Sequence, residues 1–378
     1  MQQEDILFHK AYVSSQCQEF LQDALTVGNS LFKGKYSSLC EQHILKMYPS
    51  TAVAFTSSCT EALSLASLLL NLTAGDEVIV PSYTFPSVAN AFLNRGIQVK
   101  LADSLPHHPN LSVTHAHTLL TPKTKAIVFM CYGGQADGIE EVVAFARGAG
   151  IYLIEDAAHS FDSSYRGKLV GTFGDVSTFS FHESKSVSCG QGGMLLINNP
   201  MLFSNLKSIV AHGTNKWALD EGLVSEYNWT SLGAEFNLSE LNSAALYSQF
   251  KAVDLIKAER KAIWYQYYNQ LSQLSEDQLQ LPIVCFPDSN FYIFYLICNN
   301  RAERNHLIAY LKDNHISAVF HYTGLHNSEY YLEHFEYAHL CEADNFSECL
   351  VRLPIYPNLS SEEVERVCKH IIEFYAER

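Results

Sequence analysis

The chain has 378 residues, 47% of them hydrophobic and 17% charged, ample apolar material for a packed core and the reverse of a disordered composition. With 40 Asp and Glu against 25 Lys and Arg, the net charge is -15. That balance argues against nucleic-acid binding and against docking on anionic membranes, because both need a basic footprint. The opening MQQEDILFHK has no basic segment leading into an apolar one, so no secretory signal is expected. The apolar stretches Leu63–Leu72 and Phe291–Cys298 are too short to span a bilayer. Ten cysteines, Cys285 among them, are scattered without a C-x-x-C pair. Reduced, mostly buried thiols in a cytoplasmic protein are the expectation.

In chain order, Val53–Phe55, Val78–Val80, Ala126–Tyr132 and Ile151–Ile154 are short apolar runs that read as buried strands. Thr60–Leu72, Ser87–Arg95 and Ile139–Gly148 lie between them with helical patterns. Strand followed by helix, repeated, predicts parallel strands joined by right-handed crossovers and covered on both faces. Ser177–His182 and Gly193–Asn198 read as two further strands, and Leu238–Leu274 as a long helical stretch. Beyond it, Leu281–Asn299 returns to strands, Ala302–Asn314 reads as a helix, Ala318–His321 as a strand and Glu362–Glu377 as a closing helix. The expected architecture is a large α/β domain over residues 1–250, followed by a smaller α+β domain over 251–378.

In an open parallel sheet, ligands bind beyond the carboxyl ends of the strands, so the residues just after each strand carry the most information. Thr56-Ser57-Ser58-Cys59-Thr60 leads into a helix. Such residues are ordinary helix caps and equally the makings of an anion cradle. Glu155-Asp156-Ala157-Ala158-His159 ends a buried strand. Asp156 either caps the next segment or faces a cation there, since a lone buried carboxylate is costly. Lys185 follows the strand Ser177–His182 among small hydroxyl residues, with Gly190, Gly192 and Gly193 close behind. His107, His108, His115 and His117 sit in what reads as a solvated polar loop. No H-x-x-x-H or H-E-x-x-H spacing occurs, so no metal site is expected. G-x-G-x-x-G and the phosphate-loop signature are also missing. An anion cradle, an acid for a ring nitrogen and an amine for an aldehyde together match the three handles of pyridoxal 5′-phosphate.

The segments SSCTEAL, GDEVIVPSYTFPSVANAF, IEDAAHS, FSFHESKS, GQGGMLLIN, HGTN, FHYTGLH and RLPIYPNLS resemble the DegT/DnrJ/EryC1/StrS sugar-nucleotide aminotransferases. They lie in that family's order over nearly the whole chain. The resemblance implies the fold type I of pyridoxal-phosphate enzymes, a large domain with a mostly parallel central sheet flanked by helices plus a smaller C-terminal domain. It implies that Lys185 is the covalent anchor of the cofactor and Asp156 the partner of its ring nitrogen. By the same token His159 lies near the phenolic oxygen, Phe85 stacks on the ring, and Cys59, Thr60 and Ser180 hold the phosphate. His321, Tyr322 and His326, with Tyr83, His212 and Asn215, become candidates for the sugar nucleotide.

Within the family the motifs PSYTF, SFHE-x-K, GTN and FHY are most like those of transaminases that aminate C4 of a dTDP-linked 6-deoxy sugar for cell-surface polysaccharide. The implied partners are a nucleotide sugar and L-glutamate with 2-oxoglutarate, and the implied assembly is a homodimer with shared active sites. Transamination at C3 of the sugar would use the same apparatus. A dehydratase of this fold carries His in place of the lysine, and Lys185 argues against it. A non-catalytic binding protein would have no need of the Asp156 and Lys185 pair. Three positions depart from the family's pattern: Glu235 stands for a common Asn, Gln191 for a common Glu and Gly324 for a common Pro.

Overall fold

A computed structural model describes residues 4–27, 34–50, 52–282 and 288–376. The centre is a seven-stranded sheet. Its strands are β1 (Ala52–Thr56), β2 (Glu77–Pro81), β3 (Gln98–Ala102), β4 (Thr124–Met130), β5 (Tyr152–Asp156), β6 (Val176–Ser180) and β7 (Gly193–Ile197). They lie side by side in the order β1-β7-β6-β5-β4-β2-β3. From β6 through β5, β4 and β2 to β3 every neighbouring pair is parallel. Strand β7 runs against both its neighbours. The chain leaves β6 at Ser180, turns over the carboxyl edge, and returns at Gly193. A direct return along the same edge must be antiparallel, and this turn carries Lys185. Strand β3 gave no signal in the sequence pattern; Gln98 and Lys100 interrupt its apolar run.

Alternation along the strands buries both faces. Val78, Val80, Val128 and Ile154 enter one apolar cluster, with α3 (Cys59–Leu69) and α4 (Pro86–Leu93) over it. Ile79, Ile127, Phe129 and Leu153 enter the other, with α5 (Ile139–Ala149). Each such aliphatic side chain contributes about 1.5–3 kcal/mol by leaving water.

The stretch Leu238–Leu274 is two helices rather than one, α6 (Glu240–Phe250) and α7 (Val253–Leu271). The break at Lys251–Ala252 lets them serve different cores. Leu246 and Phe250 pack into the second sheet cluster, whereas Ile263, Trp264 and Tyr267 join a third. That third cluster gathers α8 (Arg301–Asp313), α9 (Ser361–Ala376) and the antiparallel pair β8 (Tyr295–Ile297) and β9 (Leu350–Arg352).

Only Tyr295–Ile297 of the expected strands in Leu281–Asn299 forms a ladder; residues 283–287, with Cys285, lie outside the described ones. Just before it, side chains take the place of a neighbouring strand. The Trp264 indole donates to the Ile293 carbonyl (3.1 Å), and Arg260 donates to those of Tyr292 (3.3 Å) and Ile355 (3.0 Å). Ala318–His321 is reduced to a single bridge between Val319 and Arg352. His115 and His117 lie on the short helix Val113–Leu119, capped by Ser112, not in a loop. Among the described residues no helix is long and apolar enough to cross a membrane.

Two helices precede the sheet, α1 (Cys17–Val27) and α2 (Lys35–Met47). Gly34 offers α2 no side-chain cap. The Glu240 carboxylate does so from α6, accepting from the N–H groups of Gly34 (3.0 Å), Tyr36 (2.6 Å) and Ser37 (3.1 Å) and from the Ser37 hydroxyl (2.6 Å). An anion at a helix N-terminus satisfies orphan donors and the dipole together. Glu240→Ala is therefore expected to destabilise the protein by about 2–3 kcal/mol, read as a lower urea midpoint at unchanged slope. Glu240→Gln, which keeps one acceptor, should lose less.

Candidate active site

At the carboxyl edge of the sheet lies a cleft of about 530 Å³. Its floor follows from local rules. The Ser58 hydroxyl caps α3 by accepting from the Glu61 N–H (3.2 Å). The first-turn N–H groups of Cys59 and Thr60 then have no acceptor within the helix, and both residues line the cleft. Gly193 lets β7 approach this helix start. A Cβ there would sit 2.4 Å from the Ser58 carbonyl carbon and 2.5 Å from the Cys59 nitrogen. Any side chain would push the helix end out of place.

Successive residues of a strand point to opposite faces, and the pair at the end of β5 divides its work accordingly. Glu155, fully buried, anchors the loop before β6 by accepting from the N–H groups of Gly171 (2.7 Å), Phe173 (2.5 Å) and Gly174 (2.5 Å) and from the Ser177 hydroxyl (3.1 Å). Asp156 lines the cleft instead. It is 3% exposed and accepts one protein hydrogen bond, from the Ala158 N–H at 3.1 Å. Burial pushes its carboxyl above the usual range, opposed by that bond and by the charge of Lys185.

Lys185 reaches the same cleft from the turn between β6 and β7, its backbone N–H held by the His182 carbonyl (2.9 Å). Its Nζ lies 5.5 Å from the centroid of Tyr292. Tyr292 in turn donates its hydroxyl proton to the Ser184 carbonyl (3.0 Å), fixing the turn. Burial opposes ionisation of Tyr292, but the charges of Lys185, Arg352 and Arg260 outweigh it and draw its pKa below the ordinary value.

His159 accepts from the Gly133 N–H at Nδ1 (3.4 Å), so Nε2 carries the proton and faces the Tyr322 hydroxyl (3.3 Å). Its ring lies nearly parallel to Tyr322 and to His321. The Tyr132 hydroxyl bonds His321 Nδ1 (2.8 Å). Burial first, then nearby positive charge, holds both imidazoles well below their usual pKa. Phe85 stands at the N-cap position of α4 on the rim, with 58% of its surface exposed at the cleft mouth. Ser180 lines the wall, and burial pushes the Cys59 thiol far up and keeps it protonated.

Of the residues singled out in the sequence, Lys185, Asp156, His159, Ser180, Cys59, Thr60, Phe85, His321 and Tyr322 meet in this cleft. Tyr83 lies beneath it, 1% exposed, against the rings of Tyr132, Tyr322 and Phe346. His326 is set apart. It is fully buried between the Ser82 hydroxyl (2.7 Å) and the Asp344 carboxylate (3.0 Å), tying the loop after Tyr322 to the end of β2. Gly324 donates its N–H to the Ser347 hydroxyl (2.7 Å), a bond that the family's common Pro could not make. His212 and Asn215 belong to a separate surface loop, in which Asn215 bonds the backbone of Glu226 and Asn228. Glu235 is exposed beside that loop.

The sequence reading missed Phe8, His9, Tyr292 and Arg352, which also line the cleft. Arg352 heads RLPIYPNLS, a segment matched as a motif with no role given to it. Phe8 and His9 arrive on an N-terminal strap; Ile6 exchanges hydrogen bonds with His315 and Ser317, and His9 bonds the Glu183 carbonyl (2.7 Å).

The sequence profile of the DegT/DnrJ/EryC1/StrS aminotransferase family matches residues 14–372. Solved structures share the fold over almost the full length. The aminotransferase TlmJ from Streptoalloteichus hindustanus is 26% identical with a TM-score of 0.90, covering 99% of each chain. Helicobacter pylori PseC, an aminotransferase involved in the biosynthesis of pseudoaminic acid, is 22% identical with a TM-score of 0.91, over 99% of this chain and 100% of its own. Spr1654 from Streptococcus pneumoniae is 20% identical with a TM-score of 0.90 over 99% of both chains in its PLP form, and has also been solved in a PMP form.

The depressed imidazoles carry a pH signature. Between the folded pKa of His321 and its ordinary value of 6.5 the unfolded chain binds more protons than the folded one, so this contribution to stability is complete above about pH 6.5 and falls as the pH drops. Unfolding free energies of wild type and His321→Gln, measured from pH 7.5 down to 5.5, should converge toward the acid end. A constant difference would mean that the pKa of His321 is the same in the folded and unfolded protein, and a widening one that folding raises it.

Proposed function

The chain belongs to the DegT/DnrJ/EryC1/StrS aminotransferase family, and from that premise we propose that it is a pyridoxal-phosphate-dependent transaminase of nucleotide sugars. The reaction we assign moves the amino group of L-glutamate to a 4-keto-6-deoxy sugar, with dTDP-4-keto-6-deoxyglucose giving dTDP-4-amino-4,6-dideoxygalactose as the expected pair. The observation that carries this reading is the meeting, in one cleft, of a buried carboxylate with a single protein donor, a lysine amine and a capped helix start with free N–H groups.

That donor set fits the cofactor. Asp156 would hold a protonated ring nitrogen, which supplies the counter-charge that its burial demands. The N–H groups of Cys59 and Thr60, with the Ser180 hydroxyl, would hold the phosphate, and the exposed face of Phe85 the ring. When bound, the cofactor supplies an aldehyde for amines and a ring that withdraws electrons from the carbon beside them. Lys185 Nζ would anchor that aldehyde and, when free, would take the proton from Cα of the donor and pass it on to the carbon that held the aldehyde. His159 stays neutral and presents Nε2–H toward the Tyr322 hydroxyl, so the pair can orient an oxygen without adding charge. The stacked His159, His321 and Tyr322 rings keep bulk water from one side of the cleft.

The same reading makes the enzyme a homodimer. Leu223, Tyr227, Trp229 and Leu232, all more than half exposed on one loop, support an apolar face for a second copy.

Protein saturated with pyridoxal phosphate should absorb in the visible region, and borohydride should label Lys185. Lys185→Ala should lose at least about 10³-fold in turnover, as expected when the base and anchor are one group, while still binding pyridoxamine phosphate. A panel of dTDP-, UDP- and GDP-linked 3- and 4-keto sugars with L-glutamate, read by NMR, distinguishes C4 from C3 amination. Label on another side chain, or no amino sugar from any member, would overturn the assignment.

A further inference from the structure

The cleft holds a cation that neither the cofactor contacts nor the proton transfer uses. Arg352 is 9% exposed, lines the cleft, and has its Nε buried without a hydrogen-bond acceptor. Among the described residues no carboxylate lies within ion-pair distance of it, and the only acid lining the cleft is Asp156, assigned to the ring nitrogen. The Tyr292 hydroxyl hydrogen-bonds with the Arg352 side chain but brings no negative charge to it, because its own proton goes to the Ser184 carbonyl. A guanidinium cannot shed its proton to escape burial, so its position asks for an anion from outside the protein.

Its surroundings indicate which anion. The guanidinium lies 4.9 Å from the centroid of Phe8 and 5.8 Å from that of Tyr292, so aromatic rings pack against it. Packing of this kind leaves the N–H edge of a guanidinium for planar, two-point recognition. Tyr292 is also the ring beside which Lys185 Nζ lies, at 5.5 Å. One aromatic side chain therefore spaces the reacting amine from the guanidinium. The backbone is held firmly, since Arg352 and Val319 exchange N–H to carbonyl bonds (2.7 and 3.2 Å) and Arg352 pairs with Tyr295. A diphosphate is separated from the reacting carbon of a hexose by the sugar ring itself. An amino acid carries a carboxylate one bond from the carbon that bears its amine.

We infer that Arg352, backed by Phe8 and Tyr292, binds a carboxylate of the amino donor and thereby restricts the donor to amino acids. The inference rests on the transaminase reading and deepens it, by giving the donor half of the reaction its own anchor. The N-terminal strap acquires a purpose in the same step, because Phe8 is held at the guanidinium between the pairing of Ile6 with residues 315–317 and the bond of His9 to the Glu183 carbonyl.

The test separates the two half-reactions in holoenzyme. In the first, protein loaded with pyridoxal phosphate is mixed with L-glutamate and conversion to the pyridoxamine form is followed by absorbance. In the second, protein loaded with pyridoxamine phosphate is mixed with the keto sugar. Arg352→Gln should weaken the apparent affinity for glutamate by about 100-fold, the usual scale for losing a charge-assisted pair, with inhibition by 2-oxoglutarate weakened in parallel. The sugar half-reaction should change far less. Arg352→Lys, which keeps the charge and loses the fork, should fall between. Equal loss in both halves would assign Arg352 a structural role, and undiminished glutamate affinity in Arg352→Gln would leave it no role in donor binding; either result overturns the inference. If wild type itself fails to react with glutamate, the transaminase reading fails first, so the two failures are distinguishable.

Discussion

A carboxylate taken out of water with one backbone N–H for company is the constraint around which this cleft is organised. Asp156 sits at the last position of a central strand, where the sheet offers no further donors and where alternation sends its neighbour Glu155 to the opposite face. The two acids show what burial asks of a carboxylate. Glu155 meets four donors and becomes a structural rivet, whereas Asp156 meets one and stays a demand for positive charge. The parallel sheet matters because it brings the ends of β1, β5 and β6 to one edge, and the reversal into β7 brings Lys185 there too.

The electrostatics derive from that choice. With Asp156 the only acid lining the cleft among the described residues, Lys185 and Arg352 dominate its field, and the groups that can respond do so. Burial first, and that field second, hold His159 and His321 well below their usual pKa, and the field draws that of Tyr292 below its ordinary value. The imidazoles therefore act as neutral, stacked plates rather than as further cations. Arg260, held by its two carbonyl partners, adds a smaller share to the pull on Tyr292. Burial still draws Arg260 down to about 10, the direction expected of any cation deprived of water.

The parts of the site that lie immediately after strands were legible in the sequence, because position in a parallel sheet converts directly into position at its edge. Asp156, Lys185, Cys59 and Thr60 are all of this kind. Arg352, Tyr292 and Phe8 were not, since they arrive from β9, from an irregular segment and from the N-terminus, and nothing local marks them as neighbours. Strand signals failed where side chains did the work of a ladder, as around Tyr292 and Ile293. They failed also where polar residues break an apolar run, as in β3. His326 misled in the other direction. A histidine four residues beyond Tyr322 reads as part of the same pocket, yet it is consumed by Ser82 and Asp344 in holding the loop to the sheet.

The strap bearing Phe8 has a consequence for biosynthesis. Its hydrogen-bond partners at His315 and Ser317, and the guanidinium it packs against, are encoded near the far end of the message. Helix α2 likewise waits for Glu240 before its first turn is satisfied. As the chain leaves the ribosome, the strap can meet the Glu183 carbonyl early but lacks its backbone partners until residues 315–317 have emerged. A nascent chain cut short before β9 would have the sheet and Lys185 without the wall opposite them.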